Sequence, residues 1–218
     1  MRTKILFIII VITFVSFAQQ VYEVIPGTKG NEITLELSNI SGVESADDLE
    51  VKIVKNYSHL IFTESSKWID KIEVSSEKEV TFFFDVKYNT NVNKADTLEF
   101  LITDNKKIYL TKTFIFNYAA PKEYSLEQNY PNPFNPSTKI RYTVPASPKS
   151  SPKERTLNGV ILIVYDILGN QVATLVNEKK EPGYYEVDFN GSNLASGVYI
   201  YRLNAADFVS VKKMMLIK

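Results

Sequence analysis

From residue 19 to residue 120, apolar and polar residues alternate with a period of two. Ile33, Leu35 and Leu37 fall on one side and Thr34 and Glu36 on the other, and the pattern recurs in Leu49, Val51, Ile53 and in Leu98, Phe100, Ile102. Successive side chains of an extended chain point to opposite faces, so this period is that of a half-buried strand. Shorter runs of the same kind occupy 60–63, 69–74, 80–86 and 108–116. Pro26-Gly27, Lys29-Gly30-Asn31, Ser41-Gly42, residues 89–93 and Asp104-Asn105 separate them, and these residue types favour tight turns. Seven or eight short strands rich in Val, Ile, Phe and Thr predict two antiparallel sheets packed face to face.

The alternation breaks at residues 119–123, where two alanines, a proline and two charges mark a boundary few contacts should cross. Beyond it, Tyr130-Pro131-Asn132-Pro133-Phe134-Asn135-Pro136 places three prolines within seven residues. Each removes a backbone donor and pushes its predecessor toward an extended conformation, so the segment is neither helix nor central strand. It predicts a rigid lead-in whose rings, Tyr130 and Phe134, pack on a sheet. Strands follow at 138–144, 160–166, 171–176, 184–189, 198–204 and 208–217, with Gly169 turning a hairpin and Gly183 and Gly197 each standing just before a strand. Residues 145–158, basic and proline-containing, read as a surface loop between the first two of these strands. The fold class is therefore all-β, with two small antiparallel, immunoglobulin-like β-sandwich domains in tandem, 19–120 and 121–218. The Cys…Trp…Cys pattern of antibody domains is missing, so the inference extends to architecture only.

The N-terminus obeys a different pattern. Arg2 and Lys4 precede an apolar run from Ile5 to Val15, then Ser16, Phe17, Ala18 and Gln19. A basic start, an apolar run and small residues before the cut predict a Sec signal peptide over 1–18, cleaved between Ala18 and Gln19. The alternative, an uncleaved anchor, needs about 20 apolar residues, and this run is shorter.

Composition narrows the chemistry. The chain has no cysteine, which excludes disulfides, thiolate nucleophiles, cysteine-ligated zinc, iron–sulfur clusters and a lipoprotein anchor. Net charge is zero, yet 19–120 carries eleven basic against sixteen acidic residues and 121–218 twelve against nine. Neither half has the dense Lys/Arg stripe that would neutralise a row of phosphates, so nucleic acid is not an expected partner. Asp47-Asp48 lacks the spacing of a calcium loop, and no cofactor or metal is expected.

His59 is the only histidine, so any Ser/His/Asp arrangement would be built on it; beside Leu60-Ile61-Phe62 it reads as a strand-edge residue. Glu64, Asp70 and Asp85 are single acids on solvent faces of strands, and nothing marks two of them as a glycosidase pair. Trp68, the only tryptophan, reads as core, with a ligand-facing sugar platform alongside Tyr57 and Tyr88 as the alternative. Asp96-Thr97-Leu98 resembles a short O-glycosylation acceptor of the Bacteroidetes, and strand entry is the simpler reading.

Four blocks occur in order in the second half: YSLEQNYPNPFNPSTKIRYTVP, VYDILGNQVATLVN, GYYEVDFNGSNLASGVYIYRL and VKKMMLIK. Together they resemble the type A C-terminal sorting domain of type IX secretion cargo in the Bacteroidetes and relatives. The immunoglobulin-like domain of the flagellar hook-capping protein is also similar. The sorting resemblance implies a route: the Sec translocon, the periplasm, and an outer-membrane type IX translocon that recognises the folded domain. It further implies delivery to the cell surface or medium, removal of the domain by a sortase-like peptidase, and attachment to lipopolysaccharide or release. The motif positions it assigns are Pro131, Asn132, Pro133, Phe134, Tyr165, Asp166, Gly169, Val172, Gly183, Tyr184, Leu194, Gly197, Tyr199, Lys212 and Lys213. In a strand Lys212 and Lys213 point to opposite faces, so at least one is exposed, either for a partner or as a charged guard of an edge strand.

For residues 19–120 three readings stand: a non-catalytic surface or secreted module, a small carbohydrate-binding module using Trp68, and a small secreted hydrolase using His59, Glu64 or Asp70. The first is preferred, because a sandwich with one histidine, no cysteine and no paired acids has few parts for chemistry. The protein is accordingly expected not to be an enzyme.

Overall fold

The computed structural model describes residues 4–10, 21–146 and 158–218. Among these residues there is no helix. The chain divides into two compact units, Met1–Ala119 and Ala120–Lys218.

The first unit contains β1 (Lys4–Ile10), β2 (Val21–Val24), β3 (Asn31–Asn39), β4 (Ala46–Lys55), β5 (Leu60–Phe62), β6 (Ser66–Ile72), β7 (Ser76–Val86), β8 (Asp96–Thr103) and β9 (Tyr109–Tyr118). They form two sheets, ordered β1-β3-β7-β5 and β2-β9-β8-β4-β6. The inward residues are those the alternation selected: Ile33, Leu35, Leu37, Leu49, Val51, Leu98, Phe100 and Ile102 are buried, and Ile53 is half-buried against the same core. Between the sheets lies a set of phenylalanines, with Phe82 on Phe100 at 5.1 Å, Phe84 on Phe116 at 5.7 Å and Phe100 edge-on to Phe114 at 5.6 Å. Aromatic pairs in such offset and edge geometries stabilise a core beyond their area burial.

Two pairings are parallel, β2 with β9 and β1 with β3. Neither follows from a period of two, which carries no strand direction. β1 is part of the apolar run read as a leader. It runs along β3 in the register Lys4↔Glu32 to Ile10↔Ser38, covering amides that an edge strand would otherwise present. Ala18 and Gln19 lie outside the described residues.

The second unit contains β10 (Ser125–Leu126), β11 (Ser137–Val144), β12 (Asn158–Tyr165), β13 (Gln171–Lys180), β14 (Gly183–Asn190), β15 (Gly197–Ala205) and β16 (Phe208–Leu216). Its sheets are β10-β11-β14 and β13-β12-β15-β16, with all pairs antiparallel. Ile140, Tyr142, Val144, Val160, Leu162, Val164, Tyr201 and Leu203 fill the space between them. Most of the loop expected at 145–158 lies outside the described residues.

Candidate functional site

In the second unit the lead-in does more than enter the domain. The Phe134 amide donates to the Met215 carbonyl (2.9 Å), the Ile217 amide donates to the Phe134 carbonyl (3.0 Å), and the Asn132 side-chain oxygen accepts from the Met215 amide (2.9 Å). The lead-in thus acts as a short parallel strand on the far end of β16, with the Asn132 side chain rather than a backbone carbonyl accepting from the Met215 amide. Phe134 is 2% exposed and lies against Phe189 at 5.8 Å. Gly191 makes room for this: a Cβ there would stand 2.9 Å from a Leu216 methyl. Tyr130 departs from expectation. It is 80% exposed, because its backbone bridges Lys139 and leaves the ring outward, while Phe134 alone packs inward.

A buried polar clasp holds the lead-in. The Asn129 amide donates to the Tyr201 hydroxyl (2.8 Å), and that hydroxyl donates to the Glu127 carbonyl (2.8 Å). The Asn129 side-chain amide donates to the Pro131 carbonyl and to the Thr138 hydroxyl, both at 3.0 Å, and Thr138 itself donates to the Pro131 carbonyl (2.7 Å). None of these three polar residues stood out in the sequence. An asparagine just before a proline-rich stretch is the signal that was present.

The other motif residues serve turns and packing. Asp166 caps the β12–β13 turn: one oxygen accepts from the Leu168 and Asn170 amides, the other from the Asn170 side chain, each at 2.9 Å. Gly169 takes φ 86° there, a conformation that costs other residues about 1 kcal/mol or more. The Asn170 side chain and the turn amides hold the Asp166 carboxyl below its ordinary range. Ile167 and Leu168 stand exposed at the tip, and Tyr165 and Val172 are half-buried on the flanking strands. Gly183 opens β14 beneath the Tyr185 ring, followed by half-buried Tyr184. Leu194 packs against the core. Gly197 opens β15, and buried Tyr199 donates its hydroxyl to the Ala195 carbonyl (2.8 Å).

Lys212 and Lys213 do point to opposite faces of β16, Lys212 half-buried and Lys213 exposed. Beside Lys213 on the outward face stand Val209, Val211, Met215 and Ile217, all exposed. The motif positions are thus spread over the lead-in, the turns and the edge strand.

In the first unit His59 is not a simple strand-edge residue. Its Nε2 lies 2.5 Å from an Asp96 carboxylate oxygen and 2.9 Å from the Tyr118 hydroxyl, which donates to the same oxygen at 2.7 Å. Burial and the Asp96 carboxylate push the Tyr118 phenol far up. The cluster opens into a hollow of about 350 Å³ lined by Ser58, His59, Lys87, Asn89, Thr90, Asn91, Lys94 and Asp96. Asp96 and Tyr118 were not legible as partners of His59, being 37 and 59 residues away in the chain.

Glu64 and Asp70 line no part of this hollow. Glu64 pairs with Lys67 at 3.1 Å, and Asp70 is exposed on β6. Asp85 accepts from the Gly30 amide (2.8 Å) as a loop clamp. Asp47 and Asp48 are exposed, and no group of acids or histidines that could hold a metal occurs among the described residues. Trp68 is 63% exposed rather than core, because the register Glu50↔Trp68 sets it on the outward side of β6 while Ile69 takes the inward one. Tyr57 and Tyr88 do not join it: Tyr57 lies on His59 with ring centroids 5.7 Å apart, and Tyr88 fits against Gly27.

Among solved structures, the chain is similar to dimeric latent PorU from Porphyromonas gingivalis (19% identity, TM-score 0.29, covering 93% of this chain and 19% of that one). It is similar also to the human desmocollin-1 ectodomain (11%, TM-score 0.33, covering 90% and 35%) and to the titin immunoglobulin tandem A164-A165 (8%, TM-score 0.28, covering 90% of each). The chain therefore spans about a fifth of PorU and about a third of the desmocollin chain. No curated protein sequence is significantly similar to it. Residues 128–218, which contain the clasp, the capped turn and the edge strand, match the secretion system C-terminal sorting domain family. Such a domain implies sorting by type IX secretion and export to the cell surface or extracellular space.

Proposed function

We propose that this protein is an exported, non-catalytic surface or secreted module whose C-terminal unit is its address. Residues 1–18 direct Sec export and are removed after Ala18. In the periplasm the C-terminal unit is recognised as a folded domain by the outer-membrane translocon, and a sortase-like peptidase then cuts near residues 119–123. Residues 19–120 remain outside, joined to lipopolysaccharide or released.

The observation that carries this reading is the family match over residues 128–218, on a unit with its own core. A domain closed on itself by the Asn129 clasp can be recognised as a surface rather than as an unfolded tail. The outward face of β16, with exposed Val209, Val211, Met215 and Ile217, is the face we assign to the translocon, since an exposed apolar stripe suits a docking contact. For the first unit, His59 has its Nε2 engaged by Asp96 and Tyr118, and Glu64 and Asp70 stand apart, which favours binding over hydrolysis. The hollow at His59 is the one feature that supports the hydrolase alternative.

The test follows the protein in its native host. Full-length chain and a chain ending at Ala120 are located by fractionation, and the outside form is weighed intact. The expected result is an outside fragment of residues 19 to about 120 from the full chain and a periplasmic truncation product. Equal export of both would overturn the reading.

A further inference from the structure

We propose that the outer face of the five-stranded sheet in the first unit is a platform for a neutral polysaccharide chain, with Trp68 and Tyr109 as its stacking rings. This rests on the reading of the first unit as a delivered binding module and names what it would bind.

The sheet register brings these two residues into one row. Trp68 stands opposite Glu50, Glu50 opposite Thr103, and Thr103 opposite Tyr109. Directly paired residues share a face, so the two rings emerge on the same side of the sheet, and both do so openly: Trp68 is 63% exposed and Tyr109 61%. Three strand spacings separate them, about 14 Å, a span of several sugar rings. The adjacent row is Ser66, Lys52, Leu101 and Thr111, and Lys52 pairs with Glu50 at 2.8 Å between the rings.

That middle ground decides the ligand class. An interface core for a protein partner is depleted in Lys and Glu and filled with aliphatic or aromatic groups. Here a charged pair, Glu50 and Lys52, lies between two flat rings, with Thr103 fully buried in the same row and half-buried Leu101 and exposed Thr111 beside it. A glycan presents the complement: apolar ring faces that stack on aromatic side chains, and hydroxyls that donate to Glu50 and accept from Lys52. Two open rings on one face also recruit a long chain better than a single sugar, since the second contact is intramolecular once the first has formed.

Trp68 is the only tryptophan, so its fluorescence reports on the platform alone. The full chain is titrated with xylan, laminarin, galactomannan and cello-oligosaccharides, and retardation is measured in gels containing each polymer. One of these neutral glycans is expected to shift Trp68 emission to the blue with saturation. Tyr109→Ala is expected to weaken that binding about ten-fold, Trp68→Ala to abolish retardation, and Tyr130→Ala, an exposed ring on the other unit, to leave it unchanged. Both platform residues are exposed, so thermal melting of the variants is expected to match the parent. Absence of any emission shift, equal retardation of the Trp68/Tyr109 double alanine variant, or a shift produced only by a protein partner would overturn the platform. Release of reducing ends with the emission shift retained would support the platform and overturn the non-catalytic reading.

Discussion

The two units are built on the same plan of two packed sheets, yet they spend their specific residues differently. In the second unit, distinctive positions hold the fold shut: Phe134 is buried under the sheet edge, Asn132 and Asn129 tie the lead-in, and Asp166 with Gly169 fixes a turn. In the first, the core is a generic set of aliphatics and phenylalanines, and the distinctive side chains, Trp68 and Tyr109, point outward. On the proposed reading, the second unit is recognised as a folded surface by general machinery and needs one shape, so its specificity lies in geometry. The first is then cargo and needs only a stable scaffold, so its specificity lies in what the scaffold carries.

If the C-terminal unit depends on its lead-in in this way, Phe134→Ala will have the largest effect. Removing a fully buried phenylalanine costs about 3–5 kcal/mol, and here the ring also seats the lead-in on β16. Calorimetry of the full chain is expected to show the transition of the second unit lost or strongly lowered and that of the first unit unmoved. Equal displacement of both transitions would show that the two units unfold as one, and the comparison would fail.

The clasp comes next. Tyr201→Phe removes the acceptor of the Asn129 amide and the donor to the Glu127 carbonyl, leaving the buried Asn129 amide without its acceptor. A cost of about 1–3 kcal/mol is expected, seen as a lowered denaturation midpoint for the second unit only. A loss below about 0.5 kcal/mol would mean that the lead-in relaxes without it, and the clasp would not be what closes this domain.

Sequence reading recovered both sandwiches because a period of two is imposed directly by burial on one face. Ile33, Leu35 and Leu37, or Leu98, Phe100 and Ile102, are inward as the pattern requires. The second unit was further legible because prolines, a turn aspartate and glycines at strand openings have few substitutes. What stayed hidden depends on contacts between distant residues. His59 meets Asp96 and Tyr118 only after three strands have been placed, and Trp68 was read as core because no local feature says which side of β6 faces the other sheet. Its partner in the platform, Tyr109, follows from register across four strands, which alternation alone does not set. Tyr130 failed for a smaller reason: two rings in one prolyl segment were given the same role, whereas the backbone bridge to Lys139 turns one of them out.

Both units close one hairpin with an aspartate, which allows a finer comparison. Asp104 accepts from the Lys106, Lys107 and Ile108 amides in the first unit, as Asp166 does from Leu168 and Asn170 in the second. Both carboxyls are held below their ordinary value of 3.8 by these bonds. A lowered folded value means that the stabilisation is complete above about pH 4–5 and is lost as pH falls through the folded value. Asp104→Asn is expected to flatten the acid dependence of the first transition only, and Asp166→Asn that of the second only. Both sites are fully solvated, so the changes will be small. An acid dependence unchanged by either substitution would place the titrating groups elsewhere.

The smallest effect is the most discriminating. Tyr142 and Tyr201 are both buried between the sheets of the second unit, and burial raises both phenols. Tyr201 uses its hydroxyl in the clasp, whereas the Tyr142 hydroxyl has no partner among the described residues. The Tyr142 ring stacks on Tyr185 with centroids 5.2 Å apart and planes at 17°, a contact that phenylalanine would keep. A buried polar atom without a partner has forfeited its hydration for nothing, so Tyr142→Phe is expected to leave stability unchanged or to raise it by about 0.5–1 kcal/mol. Set beside Tyr201→Phe, this pair separates hydroxyls that hold the domain shut from those that merely occupy its core. A cost for Tyr142→Phe equal to that for Tyr201→Phe would erase the distinction, and with it the claim that the second unit is closed by a few specific bonds rather than by its core as a whole.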